Sequence, residues 1–177
     1  MIRFVFLVFL WAGLLAALPL SVLALERTIG PSGEPVPRFL SLKADEVNVR
    51  QGPGRDHKIK WVFKKLGLPV KIISEYEDWR EIEDPTGATG WVYYGLLSRR
   101  RTAVTLDPAH DGQAFISLFE NAKDNGEPVA QLGKGVIGHL LNCTGTWCLI
   151  AINKKLKGWV SQSHLWGLFE NEPLKVQ

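Results

Sequence analysis

The stretch Trp79–Val92, WREIEDPTGATGWV, has a counterpart 147 − 79 = 68 positions further on in Trp147–Val160, WCLIAINKKLKGWV. At this offset, with no gap, Trp79 meets Trp147 and Ile82 meets Ile150. Gly90-Trp91-Val92 meets Gly158-Trp159-Val160, and upstream Gly67 meets Gly135. A unit of this length is too long for a solenoid repeat and right for a small domain. A chain of 177 residues is expected to hold two such small domains and to be too short for those plus an enzyme.

What precedes the repeats reads as an address and a tether. Residues 1–24 have the pattern of a secretory signal: Arg3, an apolar run from Phe4 to Leu18, and Val22-Leu23-Ala24 before a cleavage point after Ala24. The alternative is an uncleaved membrane anchor, since Phe4–Leu25 is nearly long enough to span. No cysteine follows the run, which argues against a lipoprotein anchor, and residues 1–24 hold only Arg3, so twin-arginine export is not indicated. Cleavage would remove Arg3 from 21 basic residues, leaving 20 against 18 acidic ones, a net charge of +2. That is too little to point to nucleic acid. Residues 25–38 carry three prolines and two glycines among polar neighbours and are expected to form a flexible linker.

Domain 1 is placed at residues 39–98. Glu46–Arg50 alternates as a strand, and Gln51-Gly52-Pro53-Gly54 ends it. Strands are expected at Ile59–Phe63, Val70–Ser74, Trp79–Glu83 and Trp91–Tyr93, with tight turns at Glu77-Asp78 and Asp84–Gly87. Gly95-Leu96-Leu97 reads as a short helical turn. Five short strands in about sixty residues suit a small, strongly bent β-barrel. A sandwich fragment is the alternative, and it would leave sheet edges exposed.

The run Val47-Asn48-Val49-Arg50-Gln51-Gly52-Pro53, then Trp79, then Gly90-Trp91-Val92 with Leu96-Leu97, resembles the bacterial SH3 (SH3b) domain. Its usual pattern is N-V-R-x-G-P, a lone Trp, and G-W-V. Leu97–Val104 is similar to the tail of one bacterial SH3-like family found in exported proteins. The resemblance implies an SH3-type barrel and a binding role, often at the cell wall, without implying a particular ligand. The fold class expected is therefore all-β: two tandem SH3-like β-barrels after a signal peptide and a flexible tether.

Domain 2 is placed at residues 102–169 and is divergent. Ala114–Phe119 stands where Val47–Arg50 stood, but Phe119-Glu120-Asn121-Ala122 replaces the Arg-x-Gly-Pro turn. Later strands are expected at Val129–Leu132, Val136–Asn142, Trp147–Ile152 and Gly158–Val160, and Leu165-Trp166-Gly167 replaces the helical turn. The two domains are expected to pack through the Ser98–Gly112 link.

Cys143 and Cys148 are the only cysteines, and an even count in an exported chain argues for a disulfide. Gly145-Thr146 fits a two-residue turn with Gly at positive φ, flanked by Thr144 and Trp147. Cys143 and Cys148 then become the next cross-strand pair, the one whose side chains lie closest. A catalytic or metal role is the alternative, and C-x₄-C without further ligands makes a poor zinc site. Moved back by 68, these positions hold Glu75 and Arg80, an opposite-charge pair expected to be exposed and worth under about 1 kcal/mol.

His57, His110, His139 and His164 show no ligand spacing, and no G-x-S-x-G marks a serine. No cofactor is expected, and the chain is read as not an enzyme. Arg99-Arg100-Arg101 is a basic cluster at the junction, read as a solvated link rather than a contact for an anionic polymer.

The ligand-binding candidates are Arg50, Tyr76, Trp79, Trp91 and Tyr93. Alternation puts Tyr76, Trp79, Trp91 and Tyr93 on the face opposite Ile73, Arg80, Ile82 and Val92, with Arg50 at the border. An outward aromatic strip suits a peptide or glycan. The alternative is that these rings cover the barrel ends or fill the contact between repeats. Thr144, Trp147, Trp159 and Ser161 hold the same positions in the second repeat, so the site is expected on the first. The function expected is that of an exported binding protein for peptidoglycan or an envelope peptide, periplasmic or secreted, with no stable membrane insertion after cleavage. A structural or regulatory partner of another envelope protein is the alternative.

Overall fold

A computed structural model of the protein describes residues 27–123 and 125–175, so the segment read as a signal, 1–24, lies outside the described residues. The first half contains β1 (Thr28–Ile29), β2 (Pro35–Val36), β3 (Arg38–Leu42), β4 (Val47–Arg50) and β5 (Ile59–Phe63). It continues with β6 (Pro69–Tyr76), β7 (Trp79–Glu83), β8 (Thr89–Tyr93) and β9 (Leu97–Ser98). The second half contains β10 (Thr102–Thr105), β11 (Ile116–Leu118), β12 (Ala130–Leu132) and β13 (Ile137–Thr144). It ends with β14 (Trp147–Ala151), β15 (Lys157–Ser161), β16 (Leu165–Trp166) and β17 (Pro173–Lys175). Short 3-10 turns at Tyr94–Leu96 and Gln162–His164 precede β9 and β16. The fold is all-β and SH3-like, as the sequence predicts.

Repeat 1 forms one antiparallel sheet in the order β5-β4-β8-β7-β6-β3-β9, an open path rather than a ring of hydrogen bonds. Repeat 2 follows the same plan, β15-β14-β13-β10-β16, with β17 added along β13. Its β11–β12 pair joins β15 through a Phe119–Trp159 bridge. Strict alternation in β4, β7 and β8 buries Val47, Val49, Ile82 and Val92 completely. Ile116, Leu118, Ile150 and Val160 do the same in repeat 2. Burying each such side chain contributes about 1.5–3 kcal/mol of transfer free energy.

The shared glycines have a steric reason. A Cβ on Gly90 would lie 2.5 Å from Val49, and one on Gly158 would lie 2.7 Å from Leu118, because the neighbouring strand crosses there. Only a residue without a side chain lets β8 approach β4 and β15 approach β11 this closely.

Alternation fails at one point in each repeat. The β6–β7 register slips between Ile72 and Ser74, and the β13–β14 register slips between Leu140 and Asn142. The extra residue is Ile73 in one case and Leu141 in the other, again 68 apart. This bulge makes Ile72, not Ile73, the fully buried partner of Ile82.

The linker is a second correction. Residues 27–37 do not behave as a tether where they are described: β1 and β2 pair as a hairpin, Thr28 with Val36 and Ile29 with Pro35. The hairpin is tied to repeat 1 by side chains. Ser32 donates from its backbone N–H (2.9 Å) and its hydroxyl (2.8 Å) to Glu75, and Arg99 pairs with Glu34. Proline and glycine here shape a turn, and polar contacts supply what an apolar core does not.

That hairpin also changes the Glu75–Arg80 pair. The two residues are cross-strand partners, as Cys143 and Cys148 are. Arg80 Nε lies 3.0 Å from Glu75 Oε1, and Arg38 Nη2 lies 2.6 Å from the same oxygen. The pair is not exposed: the Glu75 side chain is 1% accessible. Burial acts to raise its pKa, but hydrogen bonds from the Ser32 backbone and from the Arg38 side chain outweigh it and hold the carboxyl below its ordinary value.

In repeat 2 the equivalent positions carry the Cys143–Cys148 disulfide, with Cα atoms 4.1 Å apart. Gly145 takes φ +99° in the turn, as the sequence predicts. Both cysteines are buried, and Cys143 also faces Leu174 of β17. The closed loop is short, so Cys143→Ser is expected to cost about 2 kcal/mol in the chain-entropy model. Thermal melts with and without reductant measure this. An unchanged melting temperature on full reduction, checked by alkylation and intact mass, would contradict it.

The two repeats pack on each other, as expected from the short link. Thr102 Oγ1 donates to the Gly67 carbonyl (2.7 Å), and Lys65 Nζ donates to the Gly135 carbonyl (2.7 Å). Ile137 of repeat 2 packs against the core of repeat 1. Phe39 of β3 lies edge-on to Trp166 (5.1 Å) and Phe169 (5.0 Å). Arg27 sits over the Phe169 ring at 4.2 Å, and Arg101 grips Glu172 with two nitrogens, at 3.0 and 3.1 Å.

Candidate functional site

The turn at Glu77-Asp78 sets the register of β6, β7 and β8. Tyr76 pairs with Trp79, Trp79 with Tyr93, Glu81 with Trp91, and Arg80 with Val92. Arg80, Ile82 and Val92 point inward and are buried, so Trp79, Trp91 and Tyr93 share the outer face. Tyr76 is 53% exposed, while Trp79, Trp91 and Tyr93 are half-buried.

Ring contacts bring part of the strip together. Trp79 and Tyr93 meet edge to face at 5.8 Å, and Tyr93 meets Tyr94 at 5.1 Å. Tyr94, 49% exposed, begins the 3-10 turn, and its backbone N–H donates to the Asp78 carbonyl (2.8 Å). It extends the strip, and sequence alternation misses it because the 3-10 turn turns the chain at this point. Trp91 stands apart, paired in register with Arg50 of β4.

Arg50, expected at the border of the strip, also shapes the neighbouring loop. Its Nη1 donates to the carbonyls of Arg55 (3.0 Å) and His57 (2.7 Å), which folds the Gln51–Lys58 loop back on itself. His57 lies against Gly52, where a Cβ would come within 2.6 Å of the ring. The loop so shaped places the Arg55 guanidinium 5.9 Å from the Tyr93 ring centre. The Arg80 guanidinium lies 5.8 Å from Tyr94. The candidate site is therefore an aromatic cluster with a loop cation beside it, and Arg55 is a neighbour that sequence reasoning misses. Its one local signal is its place just after the Gly-Pro-Gly turn.

Among the described residues no group of three His, Cys, Asp or Glu side chains is placed to hold a metal ion. No helix among them is long and apolar enough to cross a membrane.

In sequence, the chain is similar to a putative N-acetylmuramoyl-L-alanine amidase, YrvJ, of Bacillus subtilis (strain 168), with 26% identity over 129 residues. The match covers 70% of this chain and 24% of the relative, so the chain spans about a quarter of that protein's length. Two solved structures from Trichomonas vaginalis are also similar. NlpC2 has a TM-score of 0.33 at 9% identity, over 74% of this chain and 48% of that one. NlpC1 has a TM-score of 0.32 at 11% identity, over 81% and 50%.

The match to that relative overturns the expectation that the chain is not an enzyme, because the relative is named as an amidase. That expectation rested on missing motifs, and a missing motif does not measure kinship with enzymes. The family itself is shown by two matches, over residues 43–99 and 113–167: the chain belongs to the bacterial SH3 domain family and carries two copies of that domain in tandem.

Proposed function

We propose that the protein is an exported envelope protein whose first SH3 domain recognises peptidoglycan or an envelope peptide. The recognition face is the outer strip of Tyr76, Trp79, Trp91 and Tyr93, extended by Tyr94, in which the Trp79, Tyr93 and Tyr94 rings meet, with Arg55 beside it and Arg50 shaping the loop. The observation that carries this reading is the set of accessible rings beside a cation on a bacterial SH3 domain. Rings offer large contact area at low entropy cost, and a guanidinium adds directed hydrogen bonds. Export through residues 1–24 fits the disulfide, which persists in oxidising compartments.

The test is co-sedimentation with purified peptidoglycan for the native protein, Tyr76→Ala and Tyr93→Ala. Each change is expected to weaken binding about tenfold, roughly 1.4 kcal/mol, with Tyr76→Ala leaving the melting temperature unchanged. Full binding by both variants would place the ligand elsewhere.

A second reading is that the domains serve another envelope protein as a structural or regulatory partner. It is favoured by the amidase relative, in which a similar region is about a quarter of the chain. A pull-down from envelope extract that captures protein, alongside no sedimentation with peptidoglycan, would select it.

A further inference from the structure

The second repeat differs from the first at one position that opens space. Tyr93, whose ring covers Trp79 in repeat 1, corresponds to Ser161, 68 residues on, and Trp147 corresponds to Trp79. The strands keep the same register: Trp147 pairs with Ser161 as Trp79 pairs with Tyr93. Without that ring, the space beside Trp147 is a groove of about 640 Å³. Its walls include Ser117, Phe119, Thr146, Trp147, Ser161 and His164.

Phe119 meets Trp147 edge to face at 5.9 Å, so two half-buried rings form one wall. The Ser161 hydroxyl is 2.9 Å from that of Ser163, and His164 Nδ1 is 3.3 Å from Asp111 Oδ2, contacts that orient both groups.

We propose that this groove binds a sugar unit of a glycan chain. Sites for apolar ligands are lined mainly by apolar side chains, with few polar groups. Here polar and apolar walls share the lining about equally: hydroxyls, an imidazole, Gln113 and Lys123 stand beside the two rings and Ala122. That combination matches a ligand with hydroxyls around its rim and C–H groups on its faces. The rings cover the faces, and the hydroxyls and imidazole exchange hydrogen bonds with the rim. The size also fits, since the volume lies within the usual range for a bound small molecule. The reading adds to the wall-binding role a second site of different chemistry, and it does not depend on the Tyr93 cluster.

The probe is chitotetraose, titrated into ¹⁵N-labelled protein and followed by NMR, with a neutral alanine tripeptide as control. The sugar at millimolar concentration is expected to shift the signals of Ser117, Thr146, Ser161 and the Trp147 indole, and not those of Tyr76 and Tyr93. Ser161→Tyr restores the residue found in repeat 1 and fills the groove. It is expected to weaken sugar binding at least about tenfold, while Tyr93→Ala leaves it unchanged. Should Ser161→Tyr fail to fold, Thr146→Trp at the exposed rim makes the same test. The proposal is overturned if no groove signal moves, if the filled variant binds as the native protein does, or if the tripeptide moves the groove signals and the sugar does not. Loss of peptidoglycan sedimentation in Tyr76→Ala and Tyr93→Ala bears on the first domain alone, so the two readings fail separately.

Discussion

Glu75→Gln will destabilise the protein by about 3 kcal/mol, because it removes the carboxylate from a buried group of charges. Glu75 faces Arg38 at 2.6 Å and Arg80 at 3.0 Å, with both arginine side chains at most 15% accessible. An amide of the same shape keeps the packing and leaves two guanidinium groups without their counter-charge. It also weakens the hold on Ser32, so the N-terminal hairpin should exchange its amide protons faster.

The pH dependence tests the cause. The folded-state pKa of Glu75 lies below its ordinary value of 4.5. Its stabilisation is therefore complete above about pH 4.5 and is lost as the pH falls through the lowered folded value. The gap in stability between native protein and variant should be full at pH 7 and should shrink on acidification below 4.5. A gap that stays constant from neutral to strongly acid solution would show that charge is not the cause. Glu172 has the same sign: burial acts to raise its pKa, and the Arg101 fork and the Phe169 N–H outweigh it. The variant should thus retain part of its acid sensitivity.

Phe39→Ala should have a comparable effect by another route. Phe39 is 7% exposed and touches Trp166 and Phe169 across the repeat boundary. Truncating a buried Phe costs about 3–5 kcal/mol, and each ring pair adds roughly 0.5–1.5 kcal/mol beyond area. The loss falls on the contact between domains rather than on either core. Calorimetry should therefore show a single transition splitting into two, with protease cleavage appearing near Arg99-Arg100-Arg101. One unsplit transition within about 2 °C of the native value would mean that the domains are held by Ile137 and the polar contacts without the Phe39 rings.

Much of the fold is legible in the sequence because its determinants are local. Trp79–Glu83 and Ile59–Phe63 were bounded by turn residues and alternation, and both strands form at those bounds. The Cys143–Cys148 pair follows from Gly145 at a two-residue turn. What was illegible depends on distant chain. The bulge at Ile73 shifts the inward face by one residue, and nothing in KIIS marks which isoleucine is skipped. The burial of Glu75 needs a hairpin 43 residues away, built from a stretch whose composition suggests a tether. Arg55 lies near Tyr93 on a loop held by Arg50, and the Trp147 groove is lined by Ser161 where the first repeat carries Tyr93. Kinship to a named amidase lies outside any single chain's pattern.

The contacts of Thr102 with Gly67 and of Phe39 with Trp166 fix the orientation of one domain against the other. The outer faces of Tyr93 and Trp147 are then held at one spacing, as marks on a ruler are. For a repetitive polymer that engages both, the second contact is intramolecular, and its strength is set by effective concentration rather than by a second encounter. Affinity should then rise abruptly once a fragment is long enough to reach both faces, and loosening the domain contact should blunt that rise while leaving the affinity of short fragments unchanged.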